Sequence, residues 1–335
     1  MKIAIVGAGA IGGLLGARLS LSGQDVALIA RNRNLLAIEQ HGLRLIEDDG
    51  RELHAPDVRA YADGSEAGLQ DAVLLAVKAH QVKDVLPAMQ GLLGPETAVV
   101  TMSNGLPWWY FQRLPGPYEN RVLESVDPGG AIAAAIDPGR VIGSVVYPAA
   151  ELVEPGKVRL VEGNRFTLGE PDGRRSPRIE ALAQALTRAG FKAPISKDIR
   201  AEIWLKLWGT LSFNPISALS HATLEGICRD PDGRAVVEAM MREAQAVAGK
   251  LGVVFKISID KRIAGAEAVG AHKTSMLQDV EQGRPLELEA LVGSVVELGR
   301  ITGVATPSIE AVHHLAALLS RTLAARGTGL ALAGD

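Results

Sequence analysis

The chain is 335 residues long, 47% hydrophobic and 22% charged, with a formal net charge of −3 (35 − 38). That length suits about two domains, its apolar content excludes wholesale disorder, and its charge balance offers no footprint for nucleic acid or an anionic membrane surface. Cys228 is the only cysteine, so an internal disulfide or a cysteine-based zinc site is excluded, no metal is expected, and a reducing cytoplasm is the simplest home.

Lys2–Val6 reads as a short β-strand, followed by a glycine loop and a helix to about Leu21 that Gly23 ends. Lys2 ahead of the apolar stretch Ile3–Ala17 has the outline of a signal peptide, but the glycine spacing inside it has a better explanation. Asp25–Ala30, Asp71–Val77 and Thr97–Met102 read as further buried strands, with a helix over Gln81–Leu93. Strands alternating with helices imply a parallel sheet with crossover helices. The Val/Ile-rich region 121–169 is expected to add strands completing that sheet, with turns at Asp137-Pro138-Gly139 and Glu154-Pro155-Gly156. Pro177–Ala189 then reads as a helix and Phe191–Ile195 as a short strand. From about Ser196 the pattern is helical, with long helices over Asp198–Leu219, Asp232–Lys250, Ala264–Gln282, Leu286–Thr302 and Pro307–Ala325 and a loose tail. No 18-residue uncharged apolar run suggests a membrane span.

Gly7-Ala8-Gly9-Ala10-Ile11-Gly12 directly follows the first strand and opens a helix. The first glycine permits a tight turn, the second lets the backbone approach a pyrophosphate, and the third lets helix and strand pack closely. The helix N-terminus offers N–H groups to the phosphates. The second strand ends in Ile29-Ala30-Arg31-Asn32-Arg33, with no acid to receive a ribose 2′-hydroxyl. Arg31 and Arg33 there favour the 2′-phosphate of NADP, the alternative being solvated loop charges. Lys78, Gln81 and Asn104-Gly105 follow strand ends that line the ligand crevice of an open parallel sheet; an exposed lysine and an ordinary turn are the alternatives.

In the helix around Trp204, Lys206, Thr210 and Asn214 are spaced i, i+4, i+8 and form one polar stripe on an otherwise apolar helix. Desolvation lowers a lysine pKa and suits Lys206 to proton donation near neutral pH; a snorkelling lysine is the alternative.

Met1–Gly12, Lys78–Gln81, Asn104-Gly105, Arg200–Pro215 and Ser275–Asp279, in this order over nearly the whole chain, resemble the ketopantoate reductases (2-dehydropantoate 2-reductases). The resemblance implies an α/β fold: an N-terminal Rossmann-type dinucleotide-binding domain, 1–195, and an all-helical substrate and catalytic domain, 196–335. It implies NADPH-dependent reduction of a small-molecule 2-keto acid to the 2-hydroxy acid, 2-dehydropantoate to pantoate in pantothenate biosynthesis, by a cytoplasmic homodimer. Carried over by position, Lys206 is the general acid and Glu287 lies near it and the nicotinamide. Arg31, Lys78 and Ala150, with the glycine loop, hold the cofactor. Asn104 touches cofactor and substrate, and Thr210, Asn214 and Ser275 line the substrate.

Two positions depart from the family's pattern, which has asparagine where this chain has Thr210 and Leu224. Losing two amide donors argues for a keto acid without ketopantoate's hydroxyl. The rivals are a related hydroxy-acid or opine-type dehydrogenase and a non-catalytic NADP-binding sensor. The run Pro107-Trp108-Trp109-Tyr110-Phe111 either walls an altered pocket or serves packing.

Overall fold

The computed structural model describes residues 1–331. In chain order the elements are β1 (Lys2–Val6), α1 (Ala10–Leu21), β2 (Asp25–Ile29), α2 (Asn32–His41), β3 (Leu43–Ile46), β4 (Glu52–Ala55), β5 (Arg59–Tyr61), α3 (Gly64–Ala67), β6 (Ala72–Leu75), α4 (Val82–Met89), β7 (Ala98–Thr101), α5 (Ala131–Ala135), β8 (Val141–Val146), β9 (Ala149–Glu154), β10 (Lys157–Glu162), β11 (Phe166–Gly169) and α6 (Pro177–Arg188). Helices α7 (Ile199–Ser220), α8 (Leu224–Arg229), α9 (Pro231–Lys250), α10 (Ile259–Glu267), α11 (Ser275–Glu281), α12 (Ser294–Thr302) and α13 (Pro307–Arg326) follow. The chain divides into two compact units. One comprises residues 1–103, 107–122 and 129–202; the other comprises 104–106, 123–128 and 203–335.

The first unit holds a seven-stranded sheet in the order β11-β8-β7-β6-β1-β2-β5. Its strands are parallel except β11, which runs antiparallel to β8. β6, β7 and β8 are buried along their whole length, and β1 from its second residue on. Continuous apolar strands of this kind are what a sheet covered on both faces requires. The two halves of the sheet meet at β1, where the strand order reverses, and ligand crevices form at the C-terminal strand ends of such a reversal.

The expectation that region 121–169 completes this sheet holds for β8 and β11 only. The β9–β10 hairpin pairs instead with β3 and β4 in a separate sheet of order β4-β3-β10-β9. Phe191–Ile195 is not a full strand; it contributes single bridges from Lys192 to Arg165 and from Ile195 to Leu168.

The aromatic run is packed into the core of this unit. Trp108, Trp109, Tyr110 and Phe111 are all buried, and Trp109 donates Nε1–H to Thr101 Oγ1 at 3.1 Å. Arg200 is buried beside them and donates to the carbonyls of Tyr110 (2.7 Å), Gln112 (2.8 Å) and Pro171. A buried guanidinium needs such a full set of acceptors.

The second unit is helical. Trp208 of α7 is fully buried, donates Nε1–H to the Met241 carbonyl of α9 at 2.8 Å and stacks on Phe255 with ring centroids 4.2 Å apart. Glu243 of α9 accepts the N–H groups of Ser308 and Ile309 at 2.9 and 3.0 Å, placing a carboxylate on the N-terminus of α13, where the helix dipole favours it. The single helix expected over Ala264–Gln282 is two. α10 ends at Glu267, Gly270 takes φ +84°, and Thr274 starts α11 by accepting the Leu277 N–H at 3.2 Å. Leu286–Thr302 is also not uniform: Glu289–Gly293 forms a π-helical turn before α12. The loose tail expected at the C-terminus runs into residues 332–335, outside the described residues.

Candidate active site

In the first unit, the glycine loop leaves β1 beside the end of β6, at the reversal of strand order. Gly7 sits at φ +105°, and a Cβ there would lie 2.7 Å from Val77 Cγ1. A Cβ on Gly12 would overlap the Gly7 carbonyl oxygen, so helix and loop close on each other only with glycine at 12. At Gly9, the N-cap of α1, the space a Cβ would enter is open to 4 Å. A tight turn with one open glycine at a helix N-terminus fits the pyrophosphate of a dinucleotide.

Arg31 is the N-cap of α2, at the end of β2, and both Arg31 and Arg33 are exposed. Asn32 turns the chain there with φ +54°, a left-handed conformation asparagine tolerates. Lys78 is half-buried just past β6, and its N–H donates to Gln81 Oε1 at 3.2 Å. Ala150 lies on β9, paired with Leu160, and β9 packs on α1. Sequence reasoning missed Asn34, whose side chain bonds the glycine loop at Ala8. An asparagine in an otherwise exposed first turn gives no signal of that.

In the second unit, the polar stripe of α7 is present as expected, with Trp204, Leu207, Trp208 and Leu211 buried on its other faces. Lys206 donates from Nζ to Asn104 Oδ1 at 2.5 Å. Although Lys206 keeps some solvent access, burial pulls its pKa from 10.5 down to about 8, and the nearby Glu287 carboxylate opposes that fall. Asn214 is buried and donates to Ser275 Oγ at 3.4 Å. Ser275 is exposed in the first turn of α11. Thr210 spends its hydroxyl on its own helix, lying 3.4 and 3.3 Å from the carbonyls of Lys206 and Leu207. Leu224 opens α8, and its N–H donates to the His272 carbonyl at 3.0 Å in the loop that leads to Ser275. Asp279 is buried and ion-paired with Arg284 at 2.8 Å.

Two short segments complete this side. Leu106 N–H donates to the Ala290 carbonyl at 2.9 Å, and Gly105, at φ +85°, lies so close that a Cβ would overlap that carbonyl. Asn104 is thereby held against the π-helical turn that begins two residues after Glu287. The N–H groups of Glu124 and Ser125 are held by the Glu297 carboxylate of α12 at 2.9 and 2.8 Å. The structure thus gathers Asn104, Lys206 and Glu287 into one group and Asn214 and Ser275 into a contact on the same helix stripe. The sequence carries no sign of the π turn, whose composition is that of an ordinary buried helix. A half-buried ammonium titrating near neutrality, hydrogen-bonded to an amide and facing a carboxylate, can give up a proton to a substrate oxygen.

Among the described residues, no helix is long and apolar enough to cross a membrane, and no group of three or more His, Cys, Asp or Glu is placed to hold a metal.

Residues 3–109 match the family described as ketopantoate reductase PanE/ApbA, and residues 198–320 match its C-terminal part. The chain is similar to the 2-dehydropantoate 2-reductase of Mesorhizobium japonicum, with 56% identity over 328 residues, 98% of this chain and 99% of the relative. Among solved structures it is similar to a Ralstonia solanacearum MolK2 protein described as a ketopantoate reductase (44% identity, TM-score 0.92, 96% and 98% of the two chains). It is also similar to the 2-dehydropantoate 2-reductase of Geobacter metallireducens GS-15 (30% identity, TM-score 0.83, 95% and 99%). The parallel sheet and the family comparisons define an NAD(P)-dependent oxidoreductase. Within that class, the chain belongs to the ketopantoate reductase family.

Proposed function

We propose that the chain reduces 2-dehydropantoate to pantoate with NADPH, as a cytoplasmic enzyme with Lys206 as the general acid. Residues 1–195 hold the dinucleotide and 196–335 carry substrate binding and catalysis. The observation that carries this reading is the Lys206 ammonium, bonded to Asn104 Oδ1 at 2.5 Å and with its pKa drawn down to about 8. The glycine loop would hold the pyrophosphate, Arg31 the 2′-phosphate, and Lys78, Asn104, Ala150 and Glu287 the remaining cofactor contacts. When bound, NADPH supplies the hydride that reduces the keto carbon. Lys206 delivers a proton to the ketone oxygen, Asn104 orients the ammonium, and the Glu287 carboxylate favours its charged form. Asn104, Asn214 and Ser275 are the polar groups available to hold the keto acid, with Thr210 between Lys206 and Asn214 on the same stripe. NADPH consumption in the presence of ketopantoate tests the reading.

One observation favours a second reading, a keto acid lacking ketopantoate's hydroxyl. The Thr210 hydroxyl turns back to the Lys206 and Leu207 carbonyls of its own helix, at the position where the family's pattern has an amide. A hydroxyl buried without a partner is disfavoured by roughly 1–3 kcal/mol. Assays of ketopantoate beside 3,3-dimethyl-2-oxobutanoate, which differs only by that hydroxyl, decide between the two by their kcat/KM values.

Two predictions follow from the assigned roles. Arg31→Ala is expected to raise KM for NADPH and leave that for NADH nearly unchanged, because only NADPH carries the 2′-phosphate. Equal kcat/KM for the two cofactors in the unmodified protein would contradict the assignment. The second concerns pH. A general acid works in its protonated form, so kcat for reduction should fall as pH rises through about 8, the Lys206 value. Glu287→Gln removes the charge that holds this pKa up, so the alkaline limb should move to lower pH. A pH–rate profile with an unmoved limb would show that Glu287 does not act on Lys206.

A further inference from the structure

Asn34 lies in the first turn of α2, three residues after Arg31, and its side chain makes two bonds within the N-terminal unit. Its Nδ2 donates to the Ala8 carbonyl at 3.0 Å, and its Oδ1 accepts the Gly156 N–H at 3.3 Å. Ala8 is the second residue of the glycine loop. Gly156 is the turn of the β9–β10 hairpin, and its own carbonyl accepts the Arg44 N–H of β3 at 2.9 Å. A continuous set of bonds therefore runs from the small sheet through Asn34 to the glycine loop.

The trans peptide is planar, with its C=O and N–H pointing in opposite directions. Anchoring the Ala8 carbonyl on Asn34 therefore fixes the direction of the Gly9 N–H. The Gly9 carbonyl is occupied separately, accepting the Gly13 N–H of α1 at 2.8 Å. Gly9 is the residue whose missing side chain leaves open space at the N-terminus of α1. The Ala8–Gly9 peptide is thus held from its carbonyl end beside that open space.

We infer that Asn34 is a positioning residue for the dinucleotide: it sets the Ala8–Gly9 peptide so that its N–H meets the pyrophosphate, and it braces that peptide against the β9–β10 hairpin. The inference rests on the reading of the glycine loop as the cofactor site. It differs from the role given to Arg31, because the pyrophosphate is common to NADP and NAD whereas the 2′-phosphate is not.

Calorimetric titration of NADP⁺ and of NAD⁺ into the unmodified protein, Asn34→Ala and Arg31→Ala, with thermal unfolding of each apo protein, tests it. Alanine is a better helix former than asparagine, so Asn34→Ala retains α2. The expected result is that Asn34→Ala weakens both nucleotides by a similar factor, about tenfold for the loss of one well-placed interaction. Arg31→Ala should weaken NADP⁺ selectively. A lowered unfolding temperature with both affinities unchanged would make Asn34 a structural tie only and overturn the inference. So would weakening of NADP⁺ alone, which would place Asn34 at the 2′-phosphate. If the unmodified protein binds neither nucleotide, the cofactor reading itself fails and the inference falls with it.

Discussion

Lys206→Ala is expected to lower kcat for keto acid reduction about 10²–10⁴-fold, the range general acid catalysis contributes, with NADPH affinity unchanged. The residue sits on the polar stripe of α7, and its Nζ is bonded to Asn104. Removing it takes away the proposed proton donor and leaves the cradle of Gly7, Gly9 and Gly12 unaltered in sequence. Truncation should also be tolerated by the fold, because the buried support of this helix comes from Trp204, Leu207, Trp208 and Leu211. Steady-state kinetics together with NADPH titration separate the two effects. A variant that keeps more than about a tenth of wild-type kcat, far above the range expected for a lost general acid, would show that the proton comes from elsewhere.

Gly105→Ala should also be damaging, although it removes no chemical group. Its φ of +85° is a conformation that disfavours an L side chain by roughly 1–2 kcal/mol, and the new Cβ would collide with the Ala290 carbonyl. That carbonyl accepts the Leu106 N–H at 2.9 Å, so relieving the collision breaks the bond that seats the segment. Asn104 would move with it, and the partner of the Lys206 ammonium would be lost. The expected outcome is a fall in kcat/KM of at least tenfold, about 1.4 kcal/mol, together with a lower Tm. Wild-type kcat/KM in this variant would mean that seating Asn104 on the π turn does not matter for turnover.

The parts of the fold legible in the sequence are those whose signal is local. The glycine spacing after β1, the buried runs of β6 and β7, and the 3.6-residue stripe of Lys206, Thr210 and Asn214 each reflect contacts made within one element or between adjacent ones. The small sheet was not legible. β3 and β4 are four residues each, and their partner β10 lies more than a hundred residues further on. The break between α10 and α11 was hidden because the apolar period runs on through Gly270 and Thr274, and only the positive φ and the threonine cap reveal it. The aromatic run was legible as a feature but not in its role, since its burial depends on Arg200, ninety residues along from Tyr110. Within the candidate site, the residues were legible and their partners were not: the Asn104–Lys206 bond spans 102 residues, and the Asn34–Gly156 bond 122.

The central claim, that this chain reduces a 2-keto acid with NADPH through Lys206, is tested most directly by incubating purified protein with NADPH and ketopantoate. NADPH loss is followed by absorbance and the product identified by mass spectrometry, with Lys206→Ala run alongside. One pantoate should form for each NADPH consumed, with turnover all but lost in the variant. NADPH that remains unconsumed with ketopantoate and with its dehydroxy analogue, in a protein that is folded and binds the cofactor, would contradict that claim.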